Sequence, residues 1–176
     1  LVVDGTRASF DDVHLLGHQD TVYLRNAGTR VWFRDCRIEG TVDYVFGAAT
    51  ALFERCVLHS VGDGYVTAPS TPEDQAYGFV FRDCTLSAAP GVSRVYLGRP
   101  WRPHGATRFE QCHIDAPVSA EGWHDWGKPG NQETARFAEH DNTGPGSALD
   151  GRVSWLRDTA AAPDAATLMQ DWRPYE

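Results

Sequence analysis

Two aspartates at matching positions carry the chemistry of this sequence. Phe10 to Asp20 reads FDDVHLLGHQD, and Phe33 to Asp43 reads FRDCRIEGTVD. The Phe, the Asp at the third place, the core pair, the Gly and the final Asp coincide, so Asp20 and Asp43 occupy equivalent places. If the two segments stack as neighbouring strands, their carboxylates lie about one strand spacing, ~4.8 Å, apart. Two acids so close cannot both ionise freely, and one holds its proton unless a cation intervenes. Such a pair suits a proton donor working beside a nucleophile or base. A third segment, starting at Phe53, ends in Asp63 at the same offset, and three stacked acids would be costly without compensation. Arg99, ten residues before Phe109 as Asp43 lies ten before Phe53, is the cationic candidate. The plainer alternative makes these aspartates exposed turn formers, but Gln19, Tyr23, Tyr44 and Phe46 flank the pair as a site would require.

The elements that must position these residues are repeats. The pattern F-x-x-[CV]-x-[IL] occurs five times, from Phe10, Phe33, Phe53, Phe81 and Phe109, at spacings of 23, 20, 28 and 28. The Cys and the Ile/Leu are two apart and share one strand face. The Phe has the wrong parity for that face, so a bend must separate it from the Cys; Asp12, Asp35 and Asp83 sit there as turn formers. Val31-Trp32-Phe33 and Phe79-Val80-Phe81 read as short strands before the bend. Short units with two or three strands predict an all-β chain, a right-handed parallel β-helix in which equivalent positions form columns. A leucine-rich repeat fits less well, because no unit holds a helical run. The repeat coils are expected over 1–116 and long C-terminal loops with a short helix over 117–176, all within one domain. Residues 121 to 151, rich in Gly, Asn and Trp, read as loops with room for one more coil. Asp164 is the expected N-cap of a helix ending before Pro174.

Composition removes several classes. The 176 residues are 41% hydrophobic, enough for a sizeable core. A net charge of -8 argues against a general nucleic-acid binder. No apolar run is long enough to span a membrane. Four Cys with no CxxC pair offer neither a disulfide scaffold nor a zinc site, and the seven His show no ligand spacing. Gly122 to Lys128 imitates a phosphate-binding loop, but Pro129 stands where Ser or Thr should bind the metal. No GxSxG elbow is present. Asp11-Asp12 reads as a bend, since adjacent strand residues point to opposite faces. Trp123 and Trp126 could line a cleft or pack in the core.

The motifs resemble those of pectin methylesterases. Gln19-Asp20-Thr21-Val22-Tyr23 is similar to the family's QDTLY, Gly40 to Gly47 (GTVDYVFG) to its GTVDFIFG, and Leu97-Gly98-Arg99-Pro100-Trp101 to its LGRPW. Gly122 to Trp126 and Asn142 to Gly146 resemble its GWxxW and NxGPG segments. The resemblance covers essentially the whole chain and implies the parallel β-helix again. It implies that Asp43 is the nucleophile on the C6 methyl ester of a galacturonate unit. Asp20 would protonate the departing methanol and then activate water, Gln19 would donate to the oxyanion, and Arg99 would hold Asp43 ionised and oriented. Trp101 would stack on sugar, with Tyr44, Val42 and Trp123 as further substrate contacts. No cofactor and no metal are implied. The implied partner is methyl-esterified pectin, with no nucleic acid or membrane, for a secreted, extracellular monomer.

Departures from the family pattern set further expectations. Leu1 aligns with the last residue of a QAVAL-like segment, so a further glutamine and every earlier coil of the family are expected to be missing from these 176 residues, and turnover by them is expected to be poor. Thr67-Ala68-Pro69-Ser70 stands where many members carry a TAQ segment. Asp63 matches no catalytic motif and reads as a neighbour in the column. Cys36 and Cys56, equivalent in adjacent coils, are the expected disulfide in a secreted protein, set against a stack of buried free thiols. The net charge should favour methylated over de-esterified chains, unless a local basic cleft reverses this. A non-catalytic pectin-binding β-helix, and a polygalacturonase or pectate lyase, are the competing readings; methanol release and chain cleavage separate them.

Overall fold

The computed structural model describes residues 1–157 and 160–175. In chain order the strands are β1 (Val2–Val3), β2 (Arg7–Asp11), β3 (His14–Leu15), β4 (Val22–Leu24), β5 (Arg30–Arg34), β6 (Arg37–Gly47) and β7 (Thr50–Glu54). They continue as β8 (Val57–Pro69), β9 (Phe79–Arg82), β10 (Thr85–Ala88), β11 (Val95–Gly98), β12 (Ala106–Glu110), β13 (His113–Ile114) and β14 (Arg136–His140). Two short α-helices, α1 (Asn131–Thr134) and α2 (Ala165–Met169), and a 3-10 turn at Pro145–Ser147 complete the elements among the described residues.

Every strand pairing is parallel and joins one coil to the next, as a right-handed parallel β-helix requires. One sheet runs β2-β5-β7-β9-β12-β14. In it Phe10, Phe33, Phe53, Phe81 and Phe109 are register partners in succession. Their rings stack at centroid distances of 4.7, 4.8, 4.4 and 4.5 Å down the core. The ladder runs on past residue 116, because β14 adds a rung on β12. The second sheet, β1-β4-β6-β8-β10-β13 with β3 and β11 at its margins, supplies the other walls.

The bend between Phe and Cys is a single left-handed residue in each coil. Asp12, Asp35, Arg55, Asp83, Gln111 and Asp141 have φ of 52, 53, 50, 53, 55 and 48°. Aspartate tolerates this conformation better than most side chains. Arg55 and Gln111 show that the column imposes it on other residues too.

The expected Cys36–Cys56 disulfide is not formed: all four thiols are free and buried. Equivalent residues in stacked coils are translated copies, so their Cα–Cβ bonds run parallel and stay about 4.8 Å apart, beyond the Cβ separation a disulfide needs. Each thiol instead donates to the carbonyl of the Phe one coil below, Cys56 to Phe33 at 3.7 Å, Cys84 to Phe53 at 3.3 Å and Cys112 to Phe81 at 3.5 Å. Burial pushes the Cys84 thiol well above the usual range. Asn142 ends the column, accepting from the Cys112 amide at 2.9 Å through its side-chain oxygen.

Asp164 caps α2 as its sequence predicts, its Oδ1 accepting from the Thr167 amide at 2.8 Å. The helix lies against the side of the β-helix. Leu168 and Met169 pack on Trp32, Leu52 and Val80, the outward side chains of the first sheet.

Candidate active site

Asp20 and Asp43 stand at the corner where successive coils turn from one wall into the next. Both residues are left-handed, with φ of 59 and 53°. Backbone strain of this kind persists only where surrounding structure enforces it. The Asp20 amide donates to the Val42 carbonyl at 3.1 Å, and the Thr41 amide to the His18 carbonyl at 2.8 Å. Val22 and Tyr23 then pair with Val45 and Phe46. The two aspartates are thus neighbours on adjacent coils. Gly47 lets β6 pass this corner: its φ is +123°, and a Cβ there would collide with the Leu24 carbonyl.

Arg99 arrives from two coils further on. Gly98 pairs with Thr67, which pairs with Val45. A side chain at Gly98 would strike the Thr67 hydroxyl and the Trp123 ring, so the approach needs glycine. The guanidinium binds Asp43 through two bonds, Nε to Oδ1 at 2.9 Å and Nη2 to Oδ2 at 2.8 Å. Asp43 is 6% exposed, so this pairing compensates a largely desolvated charge. Tyr65 and Trp126 hold the guanidinium between their rings, each centroid 3.8 Å from Cζ.

Asp20 differs in environment. Burial raises its pKa, the Asp43 charge raises it further, and Arg99 lowers it. The two carboxyls are therefore inequivalent: Asp43 is clamped by a cation, whereas Asp20 is pushed toward its protonated form.

A cleft of about 200 Å³ opens over the pair, with Gln19, Asp20 and Asp43 on its floor. Phe46, Ala68, Trp101 and Trp126 form its sides. Tyr23 and Phe46 stack at 4.4 Å, and Trp101 meets them edge-on at 6.1 and 5.8 Å. Ala68, from the segment that departs from TAQ, thereby contributes to cleft shape. A larger groove of about 570 Å³, lined by Arg30, Gln75, Tyr77 and Leu168 among others, contains none of the residues singled out in the sequence.

Two expected substrate contacts are core residues instead. Tyr44 is fully buried, its hydroxyl 3.3 Å from Ser60 Oγ. It follows Asp43 directly, so when Asp43 faces the cleft the Tyr44 ring turns inward. Trp123 is 1% exposed, stacks on Phe137 at 4.2 Å and donates Nε1–H to Glu139 at 3.0 Å. Of the two tryptophans in this segment, Trp126 reaches the cleft. Two residues separate them, and the turn at Trp126 (φ 65°) is held by its amide on His124 Nδ1 and by Asp125 on the Gly127 amide. Val42 is half-buried and lines a neighbouring cavity with Tyr65 and Tyr96.

Asp63 is not in the aspartate column. Gly40 pairs with Ser60 but Val42 pairs with Tyr65, so β8 carries three extra residues in a bulge and throws Asp63 outward. Its carboxylate accepts from the Ser93 amide at 2.7 Å, the Ser93 hydroxyl at 2.8 Å and the Arg94 amide at 3.1 Å. Among the described residues no three His, Cys, Asp or Glu side chains gather to hold a metal ion. Nor, among the described residues, is any helix long and apolar enough to cross a membrane.

The comparisons with known proteins agree with this geometry. The sequence model of the pectinesterase family matches residues 1–168, and the chain belongs to that family. It is 39% identical over 157 residues to Pectinesterase 31 of Arabidopsis thaliana, covering 89% of this chain and 49% of that protein. Among solved structures, pectin methylesterase from Aspergillus niger superposes with a TM-score of 0.81 at 32% identity, over 92% of this chain and 55% of that one. The Erwinia chrysanthemi pectin methylesterase gives 0.81 at 32%, over 98% and 60%. The chain spans about half the length of the curated relatives it matches.

Proposed function

We propose that this chain carries the catalytic cleft of an enzyme that hydrolyses the C6 methyl esters of pectin. The observation that supports it most is the bidentate Arg99–Asp43 pair beside an Asp20 whose pKa is raised. Asp43 Oδ attacks the ester carbonyl, and the Gln19 amide donates to the tetrahedral oxyanion. Collapse breaks the bond to the methoxy oxygen, which takes the Asp20 proton and leaves as methanol. The Asp43 acyl anhydride remains. Asp20, now a carboxylate, accepts a proton from water; the hydroxide adds to the anhydride carbonyl, and the galacturonate acid departs as Asp43 is regenerated. Ester and water are consumed, acid and methanol are made, and no cofactor enters the balance. Trp101 and Phe46 support sugar binding through their ring faces. A related pectin methylesterase has been solved with a hexasaccharide, 31% identical to this chain with a TM-score of 0.81, which supports an oligosaccharide in the equivalent cleft. The enzyme is proposed to act outside the cell as a monomer.

The test is methanol release from highly methylated pectin, with Asp43→Asn as control. Methanol that depends on Asp43 supports the reading. Binding of pectin without methanol would favour a non-catalytic binder, and unsaturated or shortened chains would favour a lyase or a glycosidase.

A further inference from the structure

Beside the catalytic cleft lies a second cavity of about 200 Å³, lined by Val42, Asp63, Gly64, Tyr65, Arg94 and Tyr96. It adjoins the reacting pair through two of its walls. Val42 immediately precedes Asp43, and the Tyr65 ring that forms one side is the ring stacked on Arg99. Tyr65 and Tyr96 are register partners on β8 and β11, and their rings lie nearly parallel, 5.2 Å apart at 15°. His124 closes against both edge-on, at 5.7 and 5.6 Å. With Arg99 over one face of Tyr65 and Tyr96 over the other, these rings pack on one another as a rigid wall of the cavity.

Arg94 supplies the charge. It is exposed, its Cζ stands 6.0 Å from the Tyr96 ring, and among the described residues its guanidinium has no hydrogen-bond or ion-pair partner. The nearby acids are already engaged. Asp63 spends both oxygens on Ser93 and the Arg94 amide, which fixes the backbone from which Arg94 projects. Glu121, close enough for Arg94 to lower its pKa, accepts from the Ser119 hydroxyl. Neither acid forms an ion pair with Arg94, so the guanidinium fork is available to a carboxylate ligand.

We propose that this cavity is a subsite for a uronate unit bearing a free carboxylate, with Arg94 as its recognition residue and Asp63 as the group that positions Arg94. The proposal rests on the reading of the cleft as a pectin methylesterase site. It implies a chain bound with an ester over Asp43 and an acid over Arg94, so a substrate already partly de-esterified is held better than a fully methylated one. That reverses the preference expected from net charge alone.

The test is binding of a fully de-esterified oligogalacturonate, which offers no ester and undergoes no turnover, measured by calorimetry at low and moderate salt. A fully methylated oligomer, measured in an Asp43→Asn background, is the comparison. Arg94→Ala is expected to weaken the acidic oligomer about tenfold, as loss of a charge-assisted hydrogen bond should, and to leave the methylated one within about twofold. Arg94→Lys should restore part of the affinity, because it keeps the charge but not the fork. Equal weakening of both oligomers, or no effect on the acidic one, would overturn the proposal. Failure of the esterase reading would show separately, as absent methanol release by the unaltered protein on methylated pectin.

Discussion

Asp20 and Asp43 share a conformation and a column yet meet different surroundings, and the proposed division of labour depends on that difference. Burial first, and then the Asp43 charge, raise the Asp20 pKa, against a lowering by Arg99. Protonated Asp20 is therefore lost as pH rises through that raised value, and methanol-forming turnover should fall on the alkaline side. The same sign holds for folding, although Asp20 is exposed enough that rate is the sharper readout. Asp43→Asn should bring the Asp20 pKa down and Arg99→Leu should raise it, each followed by carboxyl NMR titration; no movement in either variant would break the coupling. On the proposed mechanism Asp43→Asn abolishes acyl-enzyme formation, and Asp20→Asn lowers kcat by about 10²–10⁴-fold, with pectin binding retained in both. Trp126→Ala should lower kcat by about 10–10²-fold by loosening the aim of Arg99, with a smaller change in KM. Asp20, Asp43, Gln19 and Arg99 were legible in the sequence because a column fixes the aspartates and motifs carry the rest. Tyr44, Trp123 and Asp63 were not placed correctly, since which face a residue takes at a corner or bulge depends on register, and composition does not record it.

Each coil depends on one residue that breaks its own strand. The left-handed bend recurs at Asp12, Asp35, Arg55, Asp83, Gln111 and Asp141, and it restores the parity that lets Phe and Cys face the same core. The spacing of Phe, Cys and Ile/Leu made this element legible, and the aspartates named the bend; Arg55 and Gln111 carry no such mark and are held there by their neighbours. Arg55→Val should cost about 1–2 kcal/mol, because a β-branched residue resists positive φ, whereas Arg55→Asn should cost less; urea denaturation measures both. Phe53→Ala removes the centre of the ring stack and should cost about 3–5 kcal/mol. The thiol column makes a chemical prediction. Denaturation without reductant should expose four alkylatable cysteines, and a recovered Cys36–Cys56 peptide would contradict the parallel Cβ geometry of stacked coils.

The C-terminal segment joins the ends of the chain across the whole solenoid. Leu168 and Met169 cover Trp32, Leu52 and Val80 on the outer surface of three successive coils. Beyond them the Tyr175 hydroxyl donates to the Phe10 carbonyl at 2.7 Å and approaches the Trp32 carbonyl at 3.1 Å. Arg34 lies over the same ring, its Cζ 3.9 Å from the centroid. The sequence showed the helix and its cap but not where it docks, since five residues with two large apolar side chains fit many surfaces. The dock matters for cooperativity. In a solenoid each coil touches only its neighbours, so an end coil opens before the centre. A tether from residue 175 to residue 10 couples that first coil to the rest without passing through the intervening rungs. Leu168→Ala should cost about 2–5 kcal/mol and lower the denaturation midpoint of the whole chain. Tyr175→Phe should act locally, removing the hydroxyl bonds while keeping the ring on Trp32. Amide hydrogen exchange in β2 and β5 should accelerate by about tenfold, as loss of about one hydrogen bond predicts, while β9 and β12 keep their protection. Acceleration spread evenly over all coils would mean that Tyr175 contributes to global stability alone and that the first coil is held by its rung contacts.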